Sequence, residues 1–208
     1  MSVTDALRRR LSGDFEVDPW GLDRDLVDAA SPIARLRWTI EVSGRSLPEG
    51  AGVLVFNRRL GLSEPMIVAE AVRRQSGRHL RIVGLPDVPL VGPTMRRFGS
   101  VLDHPEEVGS LLREGALVGV PLGLTVGNRI DAGALDHATI APAVTAGVPV
   151  VPVAAVGREI GRAWRVVVGE PLPPVERDDP LTLVRVAEQA QEQVRSLLEA
   201  TLPPGLLG

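Results

Sequence analysis

The stretch GVLVFNRRLGLSEPMIVAEAV, Gly52–Val72, decides how the rest of the chain is read. It opens with Val53–Phe56, an uninterrupted apolar β run. A short polar loop, Asn57–Ser63, follows. A helix then begins, with Ser63 placed as its N-cap and Pro65 in its first turn. In an α/β protein, a loop leading from the C-terminal end of a strand into a helix collects free backbone N–H groups and the positive end of the helix dipole. Ligands therefore bind there, and Asn57–Ser63 is the first place to look for a site.

Working outward, apolar strands and helices alternate on both sides. Upstream, Val3, Leu7 and Leu11 recur at helical spacing beside Arg8–Arg10, which predicts a short solvated terminal helix. A helix is expected at Leu22–Ala30, with a second, short one restarting at Pro32. A strand is expected within Arg37–Val42, where Trp38, Ile40 and Val42 alternate with polar residues. Downstream, strands are expected at Leu80–Val83, Ser100–Leu102, Ala116–Pro121, Val148–Val153 and Trp164–Val168. Helices are expected at Thr94–Phe98, Pro105–Arg113 and Leu135–Ala146. Asp179 and Pro180 cap a last, long helix striped by Leu183, Ala187, Ala190, Val194 and Leu197. This alternation predicts βαβ units and a single α/β domain with a mostly parallel central sheet covered on both faces. The boundaries are an N-terminal segment 1–21, a domain over 22–202 and a tail over 203–208.

Composition narrows the chemistry. With 208 residues and 44% hydrophobic content there is enough chain for one sizeable core. Aromatics are 3%, so Val, Leu, Ala and Ile must build that core. There is no cysteine, which excludes disulfides, thiolate metal sites and a cysteine nucleophile. No lysine is present either, which excludes a P-loop lysine and a Schiff base. A net charge of −3 gives no electrostatic case for nucleic acid. The basic N-terminus lacks an apolar continuation, so no signal peptide is expected. The longest uncharged run, Ala138–Gly157, carries Pro142, Gly147, Pro149 and Pro152 and is not expected to span a membrane. The expected location is cytoplasmic, with peripheral contact at the inner membrane face through Arg8–Arg10 as the alternative.

Five stretches resemble the glycerophospholipid acyltransferases, the family that includes lysophosphatidate acyltransferases. They are SGRSLPEGAGVLVFN (43–57), VPLVGPTMRRFGSV (88–101), LLREGALVGVPLG (111–123), AGVPVVPVAAVG (146–157) and VVVGEPLP (166–173). The resemblance runs from about Phe15 to Leu198 and rests on segment spacing as much as on motifs. It implies an acyltransferase-like fold and transfer from an acyl thioester, of coenzyme A or acyl carrier protein, to a lysophospholipid-type acceptor, with no cofactor and no metal. In the family a His, followed after four residues by an Asp, deprotonates the acceptor hydroxyl. A Pro-Glu-Gly-Thr-Arg motif helps to hold the phosphorylated acceptor.

The chemical positions depart from that pattern. Aligned on Asn57, Arg58 stands at the His and Ser63 at the Asp; aligned on Pro65, Arg59 stands at the His and Glu64 at the Asp. Either way the base position is arginine, which stays protonated in a folded protein and cannot accept the hydroxyl proton. In the other motif Pro121 and Gly123 remain, while Leu122, Leu124 and Thr125 replace the Glu, Thr and Arg. Of the three histidines, His104, just past the Ser100–Leu102 edge, is the candidate substitute base. His79 and His137 read as solvated positions. The candidate substrate-binding residues are Asn57, Arg58, Arg59, Ser63, Glu64 and Gly123. Arg58 and Arg59 can clamp an anion, or pair with Glu64 or face solvent. Three functions follow: a degenerate acyltransferase that binds, regulates or partners an active one; a working acyltransferase using His104; or a module for an anionic metabolite. An open apolar groove reaching Asn57–Ser63, as against one filled by Leu122 and Leu124, separates them.

Overall fold

The computed structural model describes residues 16–59, 63–84, 91–126, 131–173, 175 and 179–202. The expected terminal helix at Val3–Leu11 and the tail at 203–208 lie outside them. The chain forms a single α/β domain built on a seven-stranded sheet. In chain order the strands are β1 (Thr39–Gly44), β2 (Gly52–Phe56), β3 (Leu80–Val83), β4 (Ser100–Val101), β5 (Leu117–Pro121), β6 (Val150–Gly157) and β7 (Ala163–Val168). The helices are α1 (Arg24–Arg37), α2 (Ser63–Ser76), α3 (Val91–Arg97), α4 (Pro105–Arg113), α5 (His137–Thr145) and α6 (Pro180–Thr201).

The sheet order is β1-β7-β6-β2-β5-β3-β4. Every pairing is parallel except β6 with β7. β2 sits at the centre because all five of its residues are apolar or glycine and all are buried. Its side chains alternate between faces. Val53 and Val55 join a core with residues of α4, α5 and α6, whereas Leu54 and Phe56 join one with Ile67, Val68, Ala71 and Val72 of α2. The C-terminal ends of β2 and β5 thus open toward the loop that carries Arg58.

Several expectations are corrected. Pro32 does not restart a helix. It lies inside α1, which the Asp23 carboxylate caps by accepting from Leu26 N at 2.7 Å. Proline deprives the helix of one bond, but contacts on both sides hold the turn: Ser31 Oγ meets Glu70, and Arg37 Nη1 donates to Gly161 O at 2.7 Å. Ser63 is already the first residue of α2, and its hydroxyl donates to Glu159 Oε1 at 2.6 Å instead of capping the helix. β6 runs on to Gly157, and the buried stripe of α6 is Thr182, Val186, Ala187, Ala190, Val194 and Leu198. Residues 18–22 also pack on the domain: Asp18 pairs with Arg81, and Trp20 Nε1 donates to Glu114 Oε2 at 2.9 Å. Burial pushes Arg81 down to about 10, opposed by the charges of Glu114 and Glu107, so it stays cationic at neutral pH.

α1 is fastened to α2 by a buried carboxylate. Glu70 accepts from Arg74 Nε at 2.7 Å, Arg73 Nε at 3.1 Å and Ser31 Oγ at 3.1 Å, and Arg73 also bonds Ser31. Burial pushes the Glu70 carboxyl up, but the hydrogen bonds from Arg74 and Arg73, the Arg73 charge and Ser31 together outweigh it. The net result lies below its ordinary 4.5. A carboxylate whose folded pKa is depressed stabilises the fold above its unfolded pKa and loses that stabilisation as pH falls through the folded value. Acid titration followed by circular dichroism should therefore show a stability contribution fading below pH 4.5. Glu70→Gln should flatten that part of the curve, and an unchanged curve would show that the tie is not electrostatic.

Candidate functional site

The loop after β2 is built first by Asn57, which is buried. Its Nδ2 donates to Ala155 O at 3.0 Å, and its Oδ1 accepts from Ala155 N at 2.8 Å. One amide thus splices β2 to β6 where regular pairing ends, and this is the work Asn57 does here. Arg59 follows with two internal partners. Its Nε meets Glu64 Oε1 at 3.0 Å, and its Nη2 donates to Gly157 O at 2.8 Å. Glu64 is 0% exposed and Arg59 24%. The pair is a buried brace between the start of α2 and the end of β6, so the Arg59 guanidinium is already committed within the fold.

Arg58 is placed differently. Its carbonyl accepts from Thr125 N at 3.1 Å, part of an isolated parallel bridge between Arg59 and Thr125 beyond the β2–β5 pairing. Its half-buried side chain instead faces a cavity, and Nε is buried without a hydrogen-bond partner among the described residues. That cavity has a volume of about 520 Å3 and lies between α1, α2 and the β3 side of the sheet. Its helical walls include Val27, Ala30 and Ala34 of α1 with Met66 and Ala69 of α2. Small residues at Ala30, Ala34 and Ala69 leave open the space that larger side chains would fill.

The register gives its length. The floor reaches from Leu80, beside Leu117, to Pro121, beside Phe56. That is four residue steps along β5, about 13 Å at roughly 3.3 Å per residue, and Arg58 lies beyond it. At the far end His79 Nε2 sits 3.3 Å from Asp28 Oδ1. His79, read from the sequence as a solvated edge residue, is therefore a cavity wall.

The other candidates lie elsewhere. His104 is exposed, precedes α4 without a side-chain capping bond, and does not line the cavity. Its neighbour Asp103 accepts from Thr139 Oγ1 at 3.1 Å instead of orienting the imidazole. His137 is on the surface, 3.7 Å from Asp136. Leu122 is buried in the core on the opposite face and Leu124 is 51% exposed, so neither fills the cavity. Gly123 makes a close backbone approach: its N donates to Ala134 O at 2.7 Å. A Cβ on Gly133, whose φ is +82°, would overlap the Gly123 carbonyl oxygen. Among the described residues no group of three or more His, Asp or Glu could hold a metal ion. The sequence reading missed Trp38, His79, Ser31 and Glu70 as wall residues. The available signal was Val27, Ala30, Ser31 and Ala34, one α1 face at helical spacing with small side chains.

No protein family model matches the chain. An uncharacterised protein of Mycobacterium leprae is 27% identical, over 95% of this chain and 71% of its own length. An uncharacterised protein of Mycobacterium tuberculosis is 24% identical, over 95% of this chain and 72% of its own. Among solved structures, the 1-acyl-sn-glycerophosphate (LPA) acyltransferase PlsC of Thermotoga maritima superposes with a TM-score of 0.61. The match covers 97% of this chain and 91% of that one at 15% identity. The chain shares the fold of that acyltransferase. No described helix is long and apolar enough to cross a membrane.

Proposed function

We propose that this protein binds an amphiphile with an acyl chain and an anionic head, an acyl thioester or an anionic lipid, and does not activate a hydroxyl by base catalysis at the β2 loop. In this reading it serves lipid metabolism as a binding, regulatory or partner protein of an active acyltransferase, in the cytoplasm or at the inner membrane face. One observation carries the reading: an apolar cavity of about 520 Å3 ends at Arg58, where the resembling family keeps its base. That volume falls within the roughly 300–1,000 Å3 of ligand pockets. The predominantly apolar walls favour an acyl chain over a small polar metabolite. A permanently protonated guanidinium at the loop favours holding an anion over removing a proton. The exposed position of His104 and the engagement of Asp103 elsewhere disfavour a substitute catalytic pair.

Two measurements test this. Titration with palmitoyl-coenzyme A and with lysophosphatidate is expected to show saturable binding of at least one. Acyl transfer between them is expected to stay at the uncatalysed level, in the parent and in His104→Ala alike. Turnover that His104→Ala abolishes would replace this reading with the enzyme, and absence of binding to either compound would remove it.

A further inference from the structure

At the Arg58 end of the cavity, two buried donors lack hydrogen-bond partners among the described residues: Arg58 Nε and Trp38 Nε1. Both residues line the cavity. They share one end because Ile40 pairs with Trp164, which pairs with Gly157, past the end of β2; Trp38 lies two residues further out. An unpaired buried N–H is costly unless something accepts from it. Trp164 Nε1 is also unpaired, but it lies in the closed core and not on the cavity wall.

The local charge has one sign. Arg37 lines the same end, with its Cζ 5.6 Å from the Trp38 ring centroid and its guanidinium anchored on the carbonyls of Gly161 and Glu159. Of the nearby described acids, Glu64 meets Arg59 through Oε1, keeps Oε2 buried without a partner and does not line the cavity, and the Glu159 carboxylate accepts from Ser63. The acid in the cavity wall, Glu70, is matched by Arg73 and Arg74. Among the described residues, two cations and two free donors therefore face this end of the cavity, and the acid in its wall is already paired.

We propose that Trp38 and Arg58 together hold an oxyanion of the ligand, a carboxylate or phosphate oxygen, and that Trp38 is a specificity-determining residue for anionic over cationic heads. The indole N–H supplies one hydrogen bond and the guanidinium a charge-assisted one. The ligand's chain then runs along the floor toward Leu80. This inference rests on the cavity being an acyl-chain site.

The test uses N-phenylnaphthylamine, a neutral apolar fluorophore, to report cavity occupancy, and displaces it with hexadecanoate, hexadecyl phosphate or hexadecylamine. The parent protein is expected to prefer an anionic head over hexadecylamine by at least tenfold, and the ratio of the two anions distinguishes carboxylate from phosphate. Trp38→Phe, which keeps the apolar ring and removes the N–H, should weaken the anion by about fivefold. Arg58→Met should weaken it by about tenfold or more. The fluorophore's own affinity is measured for each variant and sets the scale on which its competitors are compared. Selectivity is read as anion over amine, so a change in cavity shape that lowers both cancels. Equal affinity for anionic and cationic heads, or an unchanged ratio in both variants, overturns the head-group assignment and leaves the cavity reading intact. A fluorophore that does not bind, or that no chain displaces, removes both.

Discussion

An Arg59→Met variant is expected to unfold about 3–5 kcal/mol more easily than the parent, measured by urea denaturation at pH 7. The size follows from asymmetry in burial. Glu64 is 0% exposed and meets Arg59 Nε at 3.0 Å. Removing the arginine strands a carboxylate that water cannot reach, and such a charge costs more than the ion pair itself contributes. Arg59 Nη2 also satisfies the Gly157 carbonyl, so the end of β6 loses a partner at the same time. The double variant Arg59→Met with Glu64→Leu should recover most of the loss, because it removes the stranded charge. A single variant within about 0.5 kcal/mol of the parent, the range of ordinary surface changes, would show that the pair is solvated and Arg59 free for a ligand. Arg58→Met offers the internal contrast. The Arg58 guanidinium makes no described hydrogen bond, so its loss should leave unfolding nearly unchanged while weakening the anion.

The second large effect concerns the cavity. Ala34→Phe combined with Ala69→Leu places apolar volume in the gap between α1 and α2. Filling an existing void does not overpack a core, and stability should hold or rise by about 0.5–2 kcal/mol. Ligand binding should collapse. Displacing only four methylenes of an acyl chain, at about 0.8 kcal/mol each, forfeits about 3 kcal/mol, or about two orders of magnitude in affinity. The paired readout separates the explanations: binding lost together with stability would mean a damaged fold. Binding retained in a stable variant would place the ligand elsewhere and sink the proposed function.

The loop arginines show how far sequence reasoning reaches. That Arg58 and Arg59 sit in the loop at the C-terminal end of a strand follows from an apolar run, an Asn and a helix start in succession. Their division of labour does not. Arg59 is claimed by Gly157, which is 98 residues away in the chain, and by a Glu that would be an ordinary exposed acid on a free helix. His79 and His104 exchange standing for the same reason. His104 has the better sequence neighbourhood, but α1 lies over His79 and leaves His104 on the surface.

The sequence by itself determined the α/β class, the apolar run that forms β2 and the start of α6 at Asp179–Pro180. Those depend on local terms: apolar runs too continuous for a surface strand, and a capping side chain that reaches its own first turn at 3.0 Å. Tertiary structure alone decided that α1 runs unbroken through Pro32, that Trp38 and Arg58 meet the same end of one cavity, and that a cavity exists. A void is encoded by no residue. It is the space left when Ala30, Ala34 and Ala69, on two helices pinned apart by the Glu70 cluster, come to face the sheet without filling the distance between them.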